Sequence, residues 1–208
     1  MIHEKIVKSM SNLLEFRDNA DHDHIERVEC FLRALVEEMF KQNLYTDSLR
    51  CWNMELFFLS AALHDIGKIA IKENILLKPG KLTPEEFNEM KNHTIYGEHI
   101  ISKLRANFPD SKLLAQAQII AGTHHEKWDG SGYPRGLAGE DIPLEGRFMA
   151  LADVFDTLIS GRIYKKPYSF GEALKIIKTG KGIHFDPQAA DAFLTASRNL
   201  RGINYLLN

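Results

Sequence analysis

The stretch Met54-Glu55-Leu56-Phe57-Phe58-Leu59-Ser60-Ala61-Ala62-Leu63-His64-Asp65-Ile66-Gly67-Lys68 decides how the rest of the chain is read. From Met54 to His64 it is apolar almost all the way round, the composition of a helix buried in a core rather than laid on a surface. It then ends on an imidazole beside a carboxylate, with Gly67 permitting a break. A core helix that delivers two metal-liking side chains at its terminus holds them rigidly.

Outward from that helix, the other segments also repeat at helical spacing. Ile2, Ile6, Met10, Leu13 and Leu14 recur among charges as an amphipathic N-terminal helix, and a second helix is expected from about His24 to Phe40. Lys78-Pro79-Gly80-Lys81 reads as a turn. Thr83-Pro84-Glu85-Glu86 then forms a capping box with proline in the first helical position, opening a helix from Pro84 to Leu104 that carries His93. Leu113 to His125 reads as another helix, after which glycine and proline crowd Gly130 to Pro143 into a long loop of special geometry. Pro143 opens a helix to about Ser160 with Asp153 in its middle. Ser169 to Lys178 gives a short helix, and Asp186-Pro187 caps the last one. No alternating strand pattern of useful length appears, so the fold class is all-α in a single domain.

The length of 208 residues suffices for one core that buries roughly 70% of the unfolded surface. Lysine and arginine number 26 against 28 acidic residues, a net charge of −2 that points away from nucleic acid and away from an anionic membrane as main partner. Cys30 and Cys51 stand in no metal or redox spacing, which fits a reducing cytosol. No apolar stretch approaches the roughly 20 residues that span a bilayer. Met1 to Arg17 is too polar for a signal peptide, so a cytoplasmic location is expected.

Seven residues that prefer hard or borderline metals mark the chain: His24, His64, Asp65, His93, His124, His125 and Asp153. Imidazole and carboxylate without thiolate suit iron, manganese, zinc or cobalt. His3, His22, His99 and His184 fall outside the pattern and are expected to be solvated. Cys30, six residues after His24, lies roughly 240° around a helix and should face away from any site there.

Leu63-His64-Asp65-Ile66-Gly67-Lys68 and His124-His125-Glu126-Lys127-Trp128-Asp129-Gly130-Ser131-Gly132-Tyr133-Pro134 together resemble the HD-GYP family, within the HD superfamily of metal-dependent phosphohydrolases. The resemblance continues through Ala152-Asp153-Val154-Phe155-Asp156 and Gly161-Arg162-Ile163-Tyr164-Lys165. It implies an HD-superfamily helical domain at 20–208 bearing the Gly/Pro-rich loop, preceded by a connector helix at 1–19. It also implies hydrolysis of cyclic di-GMP to linear pGpG and onward to GMP in many members. Two divalent ions, iron or manganese, are implied as cofactors, with His24, His64 and Asp153 around one, His93, His124 and His125 around the other, and Asp65 shared. Adjacent helical residues point about 100° apart, so His64 and Asp65 converge on one centre only off a helix end or between metals, and a bridging Asp65 meets this.

By the same resemblance a bridging hydroxide attacks phosphorus in line. Lys68, four residues after His64 and so one turn on if the helix persists, is read from that spacing as aiming its ammonium at the phosphate and assisting the leaving group. Arg162 and Lys165 match the family's phosphate-binding positions. Gly132, Tyr133 and Pro134 belong to the loop expected to contact substrate, with Trp128 and Tyr133 as candidates to line the guanine. The loop is also associated with diguanylate cyclase (GGDEF) domains as partners. The family often places a third-metal glutamate where this chain has Ala20, which favours two metals. Two other readings stay open on the residues: a metal-containing, non-catalytic cyclic dinucleotide sensor, and an HD phosphohydrolase acting on another nucleotide. The N-terminal helix is a candidate homodimer contact.

Overall fold

The computed structural model describes residues 2–18, 23–160 and 166–200. They form α1 (Ile2–Asp18), α2 (His24–Lys41), α3 (Thr46–Arg50), α4 (Met54–Ala61), a short 3-10 helix (Ile66–Ala70), α5 (Glu73–Leu76), α6 (Pro84–Lys91), α7 (His93–Asn107), α8 (Lys112–Thr123), α9 (Leu144–Ser160), α10 (Phe170–Thr179) and α11 (Pro187–Leu200). No strand forms among the described residues. Extended pairing is limited to isolated bridges, Asp129 with Ala138 and Lys181 with Phe185, so the fold is all-α as expected.

The larger core closes between α2, α4, α9 and α11, where Leu32, Leu35, Met39, Phe57, Phe148 and Phe193 are fully buried. Phe155 stands edge-on to Phe31 at 5.1 Å and to Phe193 at 4.9 Å, the arrangement that ring quadrupoles favour. A smaller core joins α1, α7 and α8 through Val7, Leu14, Ile101, Ala117 and Ala121. The two meet at the end of α4: Ala61 belongs to the first, Ala62 and Leu63 to the second.

That helix begins where the Asn53 side chain accepts the Leu56 amide, and it stops at Ala61, short of the expected His64. From Ala62 onward the amides of Ala62, Leu63, His64, Ile66 and Lys68 each bond the carbonyl three residues back. The winding tightens to three residues per turn, in which residues i and i+3 eclipse. Lys68 therefore lies over Asp65, three residues earlier, rather than one α-turn beyond His64. Gly67 acts by contact rather than by ending a helix. A Cβ there would lie 1.8 Å from the His93 carbonyl oxygen and 2.4 Å from the Gly97 amide, so only glycine lets the His64-Asp65 turn press against the start of α7.

The expected helix from Pro84 to Leu104 is two helices broken at Asn92. Its capping box at Thr83 and Glu86 is present. The break arises because side chains take carbonyls that a continuous helix would bond by its amides: His93 Nδ1 donates to Met90 at 2.7 Å and the Thr94 hydroxyl to Lys91 at 2.9 Å. His93 thus opens α7 instead of riding mid-helix. Both cysteines are free, and Cys30 packs against the larger core. No described helix is long and apolar enough to cross a membrane.

Candidate metal centre

The seven metal-preferring residues come from α2 (His24), the turn after α4 (His64, Asp65), α7 (His93), the end of α8 (His124, His125) and α9 (Asp153). The fold gathers them into two groups, Asp65 with His93, His124 and His125, and His24 with His64 and Asp153. Within each group one ligand-type atom per residue lies within 4.8 Å of the others. Asp65 faces both. Its Oδ1 is 3.3 Å from His93 Nε2 and 3.7 Å from His124 Nε2, while its Oδ2 is 3.2 Å from His64 Nε2.

Four rings are turned by acceptors behind them. Nδ1 of His64 donates to the Ala61 carbonyl (2.9 Å), that of His93 to Met90 (2.7 Å), that of His124 to Ile120 (3.0 Å), and that of His24 to Asp156 Oδ2 (2.7 Å). Each bond occupies Nδ1 and leaves Nε2 as the atom turned toward the centre, as ligating histidines are held. His64 Nε2 and Asp65 Oδ1 are buried without a hydrogen-bond partner, an arrangement that costs about 1–3 kcal/mol per group unless something else satisfies it. A divalent cation held by each group would satisfy both atoms, and the donor set contains no thiolate. The residues fit such a pair.

The charges agree. Burial alone would depress the His64 imidazole, but Asp65 and Asp153 outweigh it and raise it to about 9, so the position attracts positive charge. Burial lowers His93 to about 4 and His125 well below the ordinary histidine range, keeping both in the neutral, ligating form. Burial would also raise Asp65, yet Lys68 and His64 hold its carboxyl well below the usual range. Lys68 Nζ sits 2.7 Å from Asp65 Oδ2 and 2.8 Å from Asp18 Oδ2. The two carboxylates overcome its burial and raise its pKa, so it stands in the cleft as a cation. That cleft is lined by Glu15, Asp18, His24, His64, Lys68 and Asp153, among others.

The Gly/Pro-rich loop folds back on the end of α8. Glu126, 1% exposed, accepts the amides of Arg135 (2.8 Å) and Leu137 (3.0 Å), and the Tyr133 amide bonds the His125 carbonyl. A Cβ at Gly132 would lie 2.3 Å from the Lys127 amide, so this glycine serves close approach. Pro134 is half-buried beside it. Tyr133 lays its ring 4.8 Å from that of His125 and 6.5 Å from that of His93, at the mouth of the centre. Trp128 takes a different place, with the Arg147 guanidinium 5.8 Å from its ring.

Several participants escaped the sequence reading. Asp156, 1% exposed, receives Arg27 Nε at 2.6 Å as well as the His24 ring, and these donors lower its pKa against the effect of burial. The spacings His24 to Arg27 and Asp153 to Asp156, both i,i+3 on a helix, were the available signal. Glu126, directly after the histidine pair, was another. Phe87, 47% exposed, packs edge-on to Tyr133 with Lys91 Nζ 4.9 Å from its ring, beside the mouth. His99 is exposed as expected, whereas His184 is not solvated: it is half-buried, stacks on Phe185 at 4.4 Å, and burial lowers it to about 4. Arg162, Lys165, Ala20 and His22 lie outside the described residues.

A family model described as HD domain matches residues 8–189. The chain belongs to the HD-domain family. A cyclic di-GMP phosphodiesterase of Vibrio cholerae is 47% identical over 95% of this chain and 40% of its own length. A probable cyclic di-GMP phosphodiesterase of the same organism is 45% identical over 95% of this chain and 45% of its own. A 3′3′-cGAMP-specific phosphodiesterase 2, also from V. cholerae, is 37% identical over 92% of this chain and 34% of its own. The chain therefore spans less than half the length of these relatives. The crystal structure of a cyclic GMP-AMP-specific phosphodiesterase of V. cholerae shares the fold, with a TM-score of 0.60 and 20% identity over 97% of this chain and 50% of that one.

Proposed function

We propose that this chain is a metal-dependent phosphodiesterase that hydrolyses cyclic di-GMP to linear pGpG, and onward to GMP. The observation that carries the reading is Asp65, whose two oxygens face two separate groups of inward-turned ligand atoms. His24, His64 and Asp153 would hold one divalent ion, and His93, His124 and His125 the other, with iron or manganese the favoured pair. Such ions bring water toward ionisation at neutral pH and neutralise charge on a phosphoryl group. Water adds to phosphorus, the bond to the 3′-oxygen breaks, and that oxygen leaves with a proton.

This chain's own residues do the rest. The buried rings exclude bulk water and hold their lone pairs fixed before substrate arrives, which avoids reorganisation in the transition state. Lys68 presents an ammonium in the cleft, and its raised pKa suits charge stabilisation of the phosphate. Gly132, Tyr133 and Pro134 shape the mouth, where the Tyr133 ring offers a face to a base. Arg162 and Lys165 are proposed to bind the phosphates from the segment after α9. Changing both to alanine should raise KM for cyclic di-GMP while sparing bis(p-nitrophenyl) phosphate, which has one phosphate and no guanine. Equal loss on both diesters contradicts that assignment. GGDEF domains and a second copy of the chain through α1, whose Ile6, Leu13 and Phe16 are exposed, are the proposed partners.

The cGAMP-specific relative favours one alternative, a hybrid cyclic dinucleotide as the preferred substrate. Protein loaded with ferrous or manganous ions is offered cyclic di-GMP, 3′3′-cyclic GMP-AMP and linear dinucleotides, and products are separated. Faster release of pGpG from cyclic di-GMP supports the reading. Preference for the hybrid moves the substrate assignment, and binding without turnover makes the chain a sensor.

A further inference from the structure

We propose that Asp18 is a positioning residue that aims Lys68 at the substrate phosphate, so that α1 belongs to the catalytic apparatus and does more than connect. This rests on the phosphodiester hydrolysis proposed above. α1 grips the His64-Asp65 turn at both ends. The Ser11 hydroxyl donates to the Ala62 carbonyl at 2.6 Å ahead of the turn. Behind it, Arg17 spans the last turn of the 3-10 helix, donating to the Lys68 carbonyl at 2.6 Å and to Ile71 at 2.9 Å. Asp18, the next residue, takes the Lys68 ammonium itself at 2.8 Å. Two consecutive residues of one helix thus fix the backbone and the charged tip of a single lysine.

The need for this follows from lysine chemistry. A flexible four-carbon stem samples many rotamers, so an ammonium finds no fixed place unless something holds it. Here it lies between two carboxylates, Asp65 and Asp18. Asp65 is the carboxylate assigned to metal, and charge it shares with cations is withdrawn from Lys68. Asp18, 11% exposed and outside both ligand groups, remains to keep the ammonium in the cleft.

The test is a double-mutant cycle on metal-loaded protein with cyclic di-GMP, using D18A, K68A and the pair, with D18N as the conservative variant. If Asp18 acts through Lys68, D18A lowers kcat roughly 10- to 100-fold, as a misaimed group does, with unchanged metal content. The same change has no further effect in K68A. D18N, which keeps an oxygen facing the ammonium, recovers most of kcat. An equal fractional loss from D18A with and without Lys68 overturns the proposal, as does a loss that tracks metal content or thermal unfolding. Independently of activity, the Lys68 ammonium should give a protected proton–nitrogen NMR signal, absent in K68A and rapidly exchanging in D18A and much less so in D18N. Equal protection in D18A overturns the proposal even where D18A is inactive. A wild-type protein inactive on every diester breaks the functional reading, whereas an active one with additive losses breaks only this inference.

Discussion

On one side of Asp65, the rings of His93 and His124 hang from main-chain carbonyls at Met90 and Ile120, so their aim follows from helix ends that the core already fixes. On the other side His24 is aimed by a side chain, Asp156, which Arg27 in turn holds by two bonds of 2.6 and 3.0 Å. The first half is built from local backbone. In the second, His64 is hung the same way, on Ala61, but His24 depends on a buried ion pair between α2 and α9, and this half faces the cleft that α1 lines. The two proposed metal sites, of similar donor chemistry, should therefore differ in how easily a single substitution empties them.

The largest effect is expected where the halves join. Asp65→Ala removes a carboxylate that faces both groups, so elemental analysis should show loss of metal from each half and hydrolysis should vanish. Two ions retained per chain would break the idea of a shared bridge. Next comes Lys68→Ala, which should leave metal content intact while turnover falls by roughly 10²-fold, the scale of a lost charge-stabilising donor. Unchanged kcat and KM would remove Lys68 from the mechanism.

Asp156→Ala sharpens the comparison itself. Losing the partner behind a ligating histidine typically weakens metal binding by about 10- to 100-fold, and here the loss should fall on the His24 half alone. Titration with limiting manganous ion should then show one tight site and one weak one. Equal weakening of both would mean that the halves are not independent.

The smallest effect is a difference in proton release. An imidazole must give up its proton to bind metal, so at about pH 7.5 His64 should release a proton on loading and His93 should not. In the metal-free protein His64 is raised to about 9 and His93 lowered to about 4, which sets that contrast. The same shifts fix the sign for stability. The contribution of His64 is full below the unfolded value of about 6.5 and fades as pH rises through about 9, while that of His93 is full above about 6.5 and fades as pH falls through about 4. Binding heats measured in buffers of different ionisation enthalpy report the protons, and heats independent of buffer at both sites would contradict the assignment.

The helical class could be read from the sequence because periodicity is a local property: Ile2, Ile6 and Met10 or Met54 to Leu63 declare helices without reference to anything distant. The seven metal-preferring residues were legible as residue types in a recognisable order, and the structure brings them together. Where the helices stop was not legible. The breaks at Ala61 and Asn92 depend on side chains competing for carbonyls and on α7 pressing against Gly67, which no window of sequence contains. Asp156, Glu126 and Asp18 were missed for a related reason. Each acts on a residue elsewhere in the fold, His24, the loop amides and Lys68 respectively, and looks in sequence like an ordinary carboxylate.

The central claim is that Asp65 joins two metal sites, one on each side. Anomalous diffraction from crystals of manganese-loaded protein tests it most directly. The account predicts two peaks flanking the Asp65 carboxylate, one within the His24, His64 and Asp153 group and one within the His93, His124 and His125 group. A single peak, or a third fully occupied one, would contradict it.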